Sequence, residues 1–273
     1  MKSIITLYRF FNYLSLDVAC GAMVCAAFFS KILDVQLRPS GLASLGLTVW
    51  IIYTADHLLD VRKLKQVASS QRHRFHQDNF RSLFIALIIA GCTNLLLVLF
   101  VRKQILIWGI GLSFFVLLYL FVQQKLVVFK ELVISLLYSA GVLLPAMSLT
   151  ALTFSLVEGI LIASFILTAF INLILFSWYG WNDDVTDNHS SLVTRLGRSR
   201  VNKILIILFL GQAIFLDCLF LISPYQSETL IFVAMNLILM ILFLSPKKFS
   251  VDDNYRLIGD IVFLIPLPYI LFR

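Results

Sequence analysis

Apolar runs long enough to cross a bilayer recur along this chain, and that recurrence restricts its fold more than any other feature. Residues 83–101, 105–122, 132–152, 159–181 and 204–222 form the clearest runs. Residues 10–30, 41–55, 229–244 and 257–272 form shorter or more polar ones, with Asp17 and Asp260 interrupting two of them. A hydrocarbon core takes about 20 helical residues to cross, and in lipid only helices or closed barrels satisfy every backbone group. The runs are continuous rather than alternating, so helices are expected. The pattern predicts an all-α, polytopic integral membrane protein with about nine transmembrane helices, organised as one membrane domain over residues 1–273. Composition agrees: 60% of residues are hydrophobic and 14% charged. No ordinary water-soluble domain carries such a surface. Arg9, Asn12 and Asp17 break the first run before a signal-peptide core of normal length forms, so a retained first helix is expected. Cys20, Cys25, Cys92 and Cys218 have no metal-ligand or paired spacing and read as buried free thiols.

Charge sets the expected orientation. With the N-terminus inside, most of the 22 Lys and Arg residues fall on inner segments, and the outer ones hold only Lys31, Arg38, Arg102, Lys103 and Arg273. The positive-inside rule therefore puts the N-terminus and the two long polar connections, residues 56–82 and 182–202, in the cytoplasm, with a cell inner membrane as the expected location. The same rule accounts for the net charge of +7 without nucleic acid.

The two long connections each begin with an acidic motif. Asp56 and Asp60 stand four apart after the second run, and Asp183 and Asp187 stand four apart after the sixth, with Asp184 between them. Residues at i and i+4 share a helix face. An even number of spans separates the motifs, so both fall on one side of the membrane. Paired carboxylates repel and need a compensating cation. Magnesium suits them, because it takes carboxylate oxygen and shares its remaining positions with water and phosphate. Arg62, Lys63, Lys65, Arg72, Arg74 and Arg195 flank the motifs and are candidates to hold phosphate oxygens. The plainer reading is that the acids are solvated helix ends.

In these motifs and their placement the chain resembles the UbiA superfamily of intramembrane prenyltransferases, whose members have nine helices and aspartate-rich motifs after the second and sixth. The segment Tyr119-Leu-Phe-Val-Gln-Gln-Lys125 lies where the family has a diphosphate-binding tyrosine and lysine. Asp187-Asn-His-Ser-Ser-Leu-Val-Thr-Arg-Leu-Gly197 is similar to the family's continuation of the second motif. The resemblance implies Mg2+ held by Asp56, Asp60, Asp183 and Asp187, with Asp60 and Asp187 essential to catalysis. It implies diphosphate binding by Arg62, Lys63, Tyr119, Lys125 and Arg195, and transfer of a prenyl group from an isoprenyl or polyprenyl diphosphate to a small or lipid-soluble acceptor. Where the family's first motif leads with Asn and Asp, this chain has Ile52 and Tyr53, and Gln123 stands four after the tyrosine, where the family has its lysine.

Other features leave a second reading open, a non-enzymatic protein of the same fold such as a cation-coupled transporter or an inactive lipid-binding relative. Asp17, Asp217 and Asp260 lie in apolar runs, where an ionisable group is costly. Asp17 is a candidate for the acceptor region; Asp217 and Asp260 are expected to be packed and hydrogen-bonded. His57 is expected to point away from the acidic pair, and His73, His76 and His189 to be solvated. Pro145, Pro266 and Pro268 predict kinks. No Gly-rich phosphate loop, serine-nucleophile motif or zinc-binding histidine motif occurs.

Overall fold

The computed structural model describes residues 2–64, 66–123, 126, 128–150, 155–187 and 190–272. Lys65, Lys125 and His189 lie outside the described residues. The helices are α1 (Lys2–Tyr13), α2 (Leu16–Ile32), α3 (Pro39–Lys63), α4 (Gln71–Asp78), α5 (Phe80–Val98), α6 (Lys103–Val122), α7 (Lys130–Met147) and α8 (Leu156–Tyr179). They continue as α9 (Trp181–Thr186), α10 (Leu192–Leu196), α11 (Arg198–Ile222), α12 (Gln226–Leu244), α13 (Pro246–Phe249), α14 (Asn254–Ile261) and α15 (Leu267–Phe272). Among the described residues, 8 helical segments are long and apolar enough to cross a membrane, and up to 9 if a bent pair at the N-terminus counts as one span. The protein is an all-helical, multi-pass membrane protein.

Local chemistry sets several boundaries. Pro39 opens α3 at a position where its missing N–H costs nothing. Ser155 and Glu158 cap α8 reciprocally, the Glu158 N–H donating to Ser155 Oγ and the Ser155 N–H to Glu158 Oε2 at 2.7 Å. Ser70 Oγ accepts the His73 N–H and starts α4. The third helix runs to Lys63, so the first acidic motif is its last two turns rather than a loop.

Two expected spans are broken. Residues 6–13 and 16–32 meet at 78°, and Ser15 sits at the corner in the left-handed region with φ 56°. The expected run of residues 10–30 therefore begins only at Leu16. Its polar residues are the cause: Asn12, Ser15 and Asp17 are buried in side-chain bonds that a straight apolar helix could not make. The last span is a series of short pieces, α14, a 3-10 turn over Val262–Leu264 and α15, with Pro266 and Pro268 at the second junction. Pro145 falls in the final turn of α7.

Lipid is as apolar as leucine, so helices associate through packing and interhelical hydrogen bonds. Asn94 on α5 bridges Ser44 and Thr48 on α3, both at 2.8 Å. Gln212 on α11 donates to Thr168 Oγ1 on α8 at 2.7 Å. Phe28, Phe29, Phe165 and Phe232 interlock edge to face, with Phe29 and Phe165 centroids 5.2 Å apart. At Gly21 a Cβ would lie 2.8 Å from Phe263 Cβ, so only glycine lets α2 approach the last span this closely. The aromatic core occupies the half of the bundle away from the acidic motifs and leaves room at their end. The cysteines are free, but Cys92 and Cys218 are exposed on the outer faces of their helices rather than buried.

Candidate active site

A cavity of about 230 Å³ opens among α3, α6, α7, α8 and α14, at the end of the bundle carrying both acidic motifs. Its polar wall holds Asp56, Asp60, Asp184, Glu131, Lys130, Arg72 and Arg256. Deeper, Ile52, Tyr53, Ile134, Tyr138, Leu173 and Phe263 make an apolar and aromatic lining. The site is thus charged at one end and oily at the other.

Asp56 accepts from Gln123 Nε2 at 3.0 Å, and Gln123 Oε1 accepts from the Tyr119 hydroxyl at 3.2 Å. The glutamine therefore joins α6 to the first acid. Asp60 is 8% exposed and pairs with Lys63 Nζ at 3.3 Å. His57 also lines the cavity, with both ring nitrogens buried and unpartnered among the described residues, and its ring lies against His73 and His76, centroids 5.6 and 4.8 Å away, as expected for a side chain turned from the acidic pair.

The second motif divides its acids. Asp184 lines the cavity, and Asp183 and Asp187 do not. The Asp187 carboxylate accepts from the Ser69 backbone N–H at 3.0 Å and from Ser69 Oγ at 2.7 Å. Gln66 donates to the Thr186 carbonyl at 3.3 Å, so the two long connections touch. Asp183 is half-buried, and burial, followed by the charge of Asp253, raises its carboxyl above the ordinary range. Of the expected phosphate ligands, Tyr119 lines the cavity and Lys63 reaches it through Asp60; Arg62 and Arg195 are exposed and do not line it.

Sequence reasoning missed Lys130, Glu131 and Arg256. Glu131 Oε1 accepts from Ser177 Oγ and the Leu192 N–H, each at 2.7 Å, and so pins α7 to α8 and α10. Arg256 lies over the rings of Phe176 and Tyr255 at 5.6 and 5.4 Å. Its spacing of four from Asp260 on one helix was the available signal. Arg72 comes from α4 and is 4% exposed; it donates to the Asn12 carbonyl at 2.8 Å and to Ser15 Oγ at 3.2 Å, and stands 3.9 Å from Asp260. His76 on the same short helix is 1% exposed, not solvated as expected, and contacts the Arg72 carbonyl through Nδ1 at 2.9 Å. Asp217 is exposed near the far end of α11.

Among the described residues, no three His, Cys, Asp or Glu side chains converge as a complete metal-ligand set. An all-protein cage for zinc or calcium is therefore not formed by them. Magnesium makes a smaller demand, one or two carboxylates with water and substrate phosphate completing its shell. Asp56 and Asp60 on one helix face, with Asp184 on the same cavity, fit that demand.

The fold has precedent among solved structures. Two structures of a UbiA homologue from Archaeoglobus fulgidus, one bound to GPP and Mg2+ and one to DMAPP and Mg2+, each superpose with a TM-score of 0.64 at 14% identity. Each alignment covers 96% of this chain and 99% of the other. This is the UbiA fold. A structure described for the biosynthesis of digeranylgeranylglyceryl phosphate synthase in membranes also superposes, with a TM-score of 0.56, 14% identity, and 95% and 98% of the two chains covered. No family model and no curated protein matches the sequence. At this identity the likeness establishes the fold of the UbiA-like chain and no more.

Proposed function

We propose that this UbiA-fold protein transfers a prenyl group from an isoprenyl or polyprenyl diphosphate to a lipid-soluble acceptor, with Mg2+ as cofactor. The observation that carries the reading is the two-part cavity, with carboxylates and cations at one end and an oily lining at the other. In this reading Asp56, Asp60 and Asp184 hold the metal, and Asp187 fixes the second motif by gripping Ser69. Bound magnesium supplies Lewis-acid neutralisation of the leaving diphosphate. Lys130 takes phosphate oxygens that the carboxylates repel, and Arg72 and Arg256 balance Asp260 on the adjoining wall. The hydrocarbon tail lies along Ile52, Ile134 and Leu173, and the faces of Tyr53, Tyr138 and Phe176 shelter positive charge developing at the allylic carbon. The cavity mouth faces the cytoplasm by the distribution of Lys and Arg.

One contact favours a second reading. Gln123 commits an Asp56 oxygen to an amide hydrogen bond, which suits a diphosphate-binding relative that does not turn over. One experiment separates them. Geranyl diphosphate binding to the protein in lipid nanodiscs should require magnesium, and Asp56→Asn or Asp60→Asn should weaken it at least tenfold. Turnover with an acceptor panel marks the enzyme; tight binding without turnover, in native protein and in Gln123→Lys alike, marks the inert relative. Magnesium-independent binding, unchanged in both Asn variants, would remove the site altogether.

A further inference from the structure

Asn172 on α8 lines the cavity at 4% exposure, and its Oδ1 is buried with no hydrogen-bond partner among the described residues. A Cβ at Gly259 would lie 2.6 Å from that oxygen and 2.5 Å from Phe176 Cε1, so only glycine lets α14 come this near. The next residue, Asp260, lines the same cavity and is also 4% exposed. Its Oδ2 accepts from Asn12 Nδ2 at 2.8 Å and stands 3.9 Å from Arg72. Asn12 also donates to Asp17, which lies behind and does not line the cavity. Among the described residues these contacts all fall on Oδ2, leaving acceptor capacity on Oδ1.

Two oxygen acceptors on one wall select what can sit there. A diphosphate has only acceptors to offer and is repelled. Arg72, and Arg256 one turn before Asp260, disfavour a cation. A neutral hydroxyl supplies the missing donor. Resting on the prenyl-transfer reading, we propose that Asp260 and Asn172 form the acceptor subsite, that the acceptor is an alcohol or phenol, and that Asp260 takes its proton. The acceptor oxygen's lone pair forms the new bond to the allylic carbon. The carbon–oxygen bond to diphosphate breaks with its electrons going to diphosphate, and the hydroxyl proton passes to Asp260. The products are a prenyl ether and diphosphate, and the proton then leaves to water.

The test uses 1-naphthol and 1-methoxynaphthalene with the full-length protein in nanodiscs, read by energy transfer from tryptophan after subtraction of empty nanodiscs. A hydrogen bond to a carboxylate should make naphthol bind at least about tenfold tighter than its ether. That preference should fall to about threefold or less in Asp260→Asn and shrink in Asn172→Leu. Equal affinity for the two probes in native protein would overturn the subsite, whether or not the variants fold. Displacement of naphthol by magnesium alone would assign the pair to a cation and overturn it as well. Geranyl diphosphate binding on the same samples separates the two ideas. Magnesium-dependent binding with no naphthol preference sinks the subsite alone, and naphthol preference without such binding sinks prenyl transfer but keeps the hydroxyl site.

Discussion

Replacing Arg72 with methionine keeps much of the stem volume and removes only the guanidinium, which makes it the most informative single change in the fold. Two charge-assisted hydrogen bonds disappear, those to the Asn12 carbonyl and Ser15 Oγ. Each is worth about 1.5–3 kcal/mol. Asp260 also loses its ion-pair partner while remaining buried beside Asp17. Removing one member of a buried pair costs about 3–5 kcal/mol in general. Here the pair is long, at 3.9 Å, and Arg256 stays close by, so the lower end applies. Taking the lower end of each range, Arg72→Met should therefore destabilise the protein by about 6 kcal/mol. Asp260→Asn in the same background should recover about 2 kcal/mol of this, since the uncompensated charge is then gone. The assay is reversible unfolding of all four members of the cycle in bicelles, followed by tryptophan emission. A single-variant loss under about 1 kcal/mol, with additive behaviour in the double variant, would refute the idea that Arg72 holds the N-terminal corner through charge.

His76 is pushed down to about 4 by burial, with the nearby Arg72 charge acting in the same direction, so the folded protein keeps it neutral. The unfolded chain binds its proton near the ordinary value of about 6.5. Stability should thus be fully present at neutral pH and be lost as pH falls from there toward about 4. The slope is at most about 1.4 kcal/mol per pH unit. His76→Asn should flatten that part of the unfolding profile, and an unchanged slope would count against a buried neutral ring. Gly259→Ala should cost about 1–3 kcal/mol by forcing α14 away from Phe176 and Asn172, and a thermal midpoint equal to that of the native protein would show that the approach is looser than described.

The span pattern and the placement of the acids were legible because each depends on neighbours in sequence. Continuous apolar runs announce helices, and Asp56 and Asp60 share a face by spacing alone. The break at Ser15 was visible only as scattered polarity, since the partner that Ser15 Oγ bonds is Arg72, which arrives from α4. Lys130 and Asn172 carried no local signal, and Arg256 only its spacing from Asp260; they meet only when α7, α8 and α14 pack. The same holds for Asp187, whose partner Ser69 is 118 residues away. His76 looked solvated because nothing in its own polar helix reveals that the helix tucks beneath the N-terminal corner.

The sixth helix has one further consequence. It packs along α7, and of its residues only Tyr119 is buried, while Ile107, Phe114 and Phe121 stand exposed along its length. A long apolar helix held on so narrow a contact answers a change in bilayer thickness by tilting, at a cost of only fractions of a kcal/mol per Å. Any such tilt moves Tyr119 and Gln123 together against Asp56. Lipid chain length thereby becomes a dial on the geometry of the first acid, and bilayers of short and long acyl chains present two differently adjusted forms of the same site.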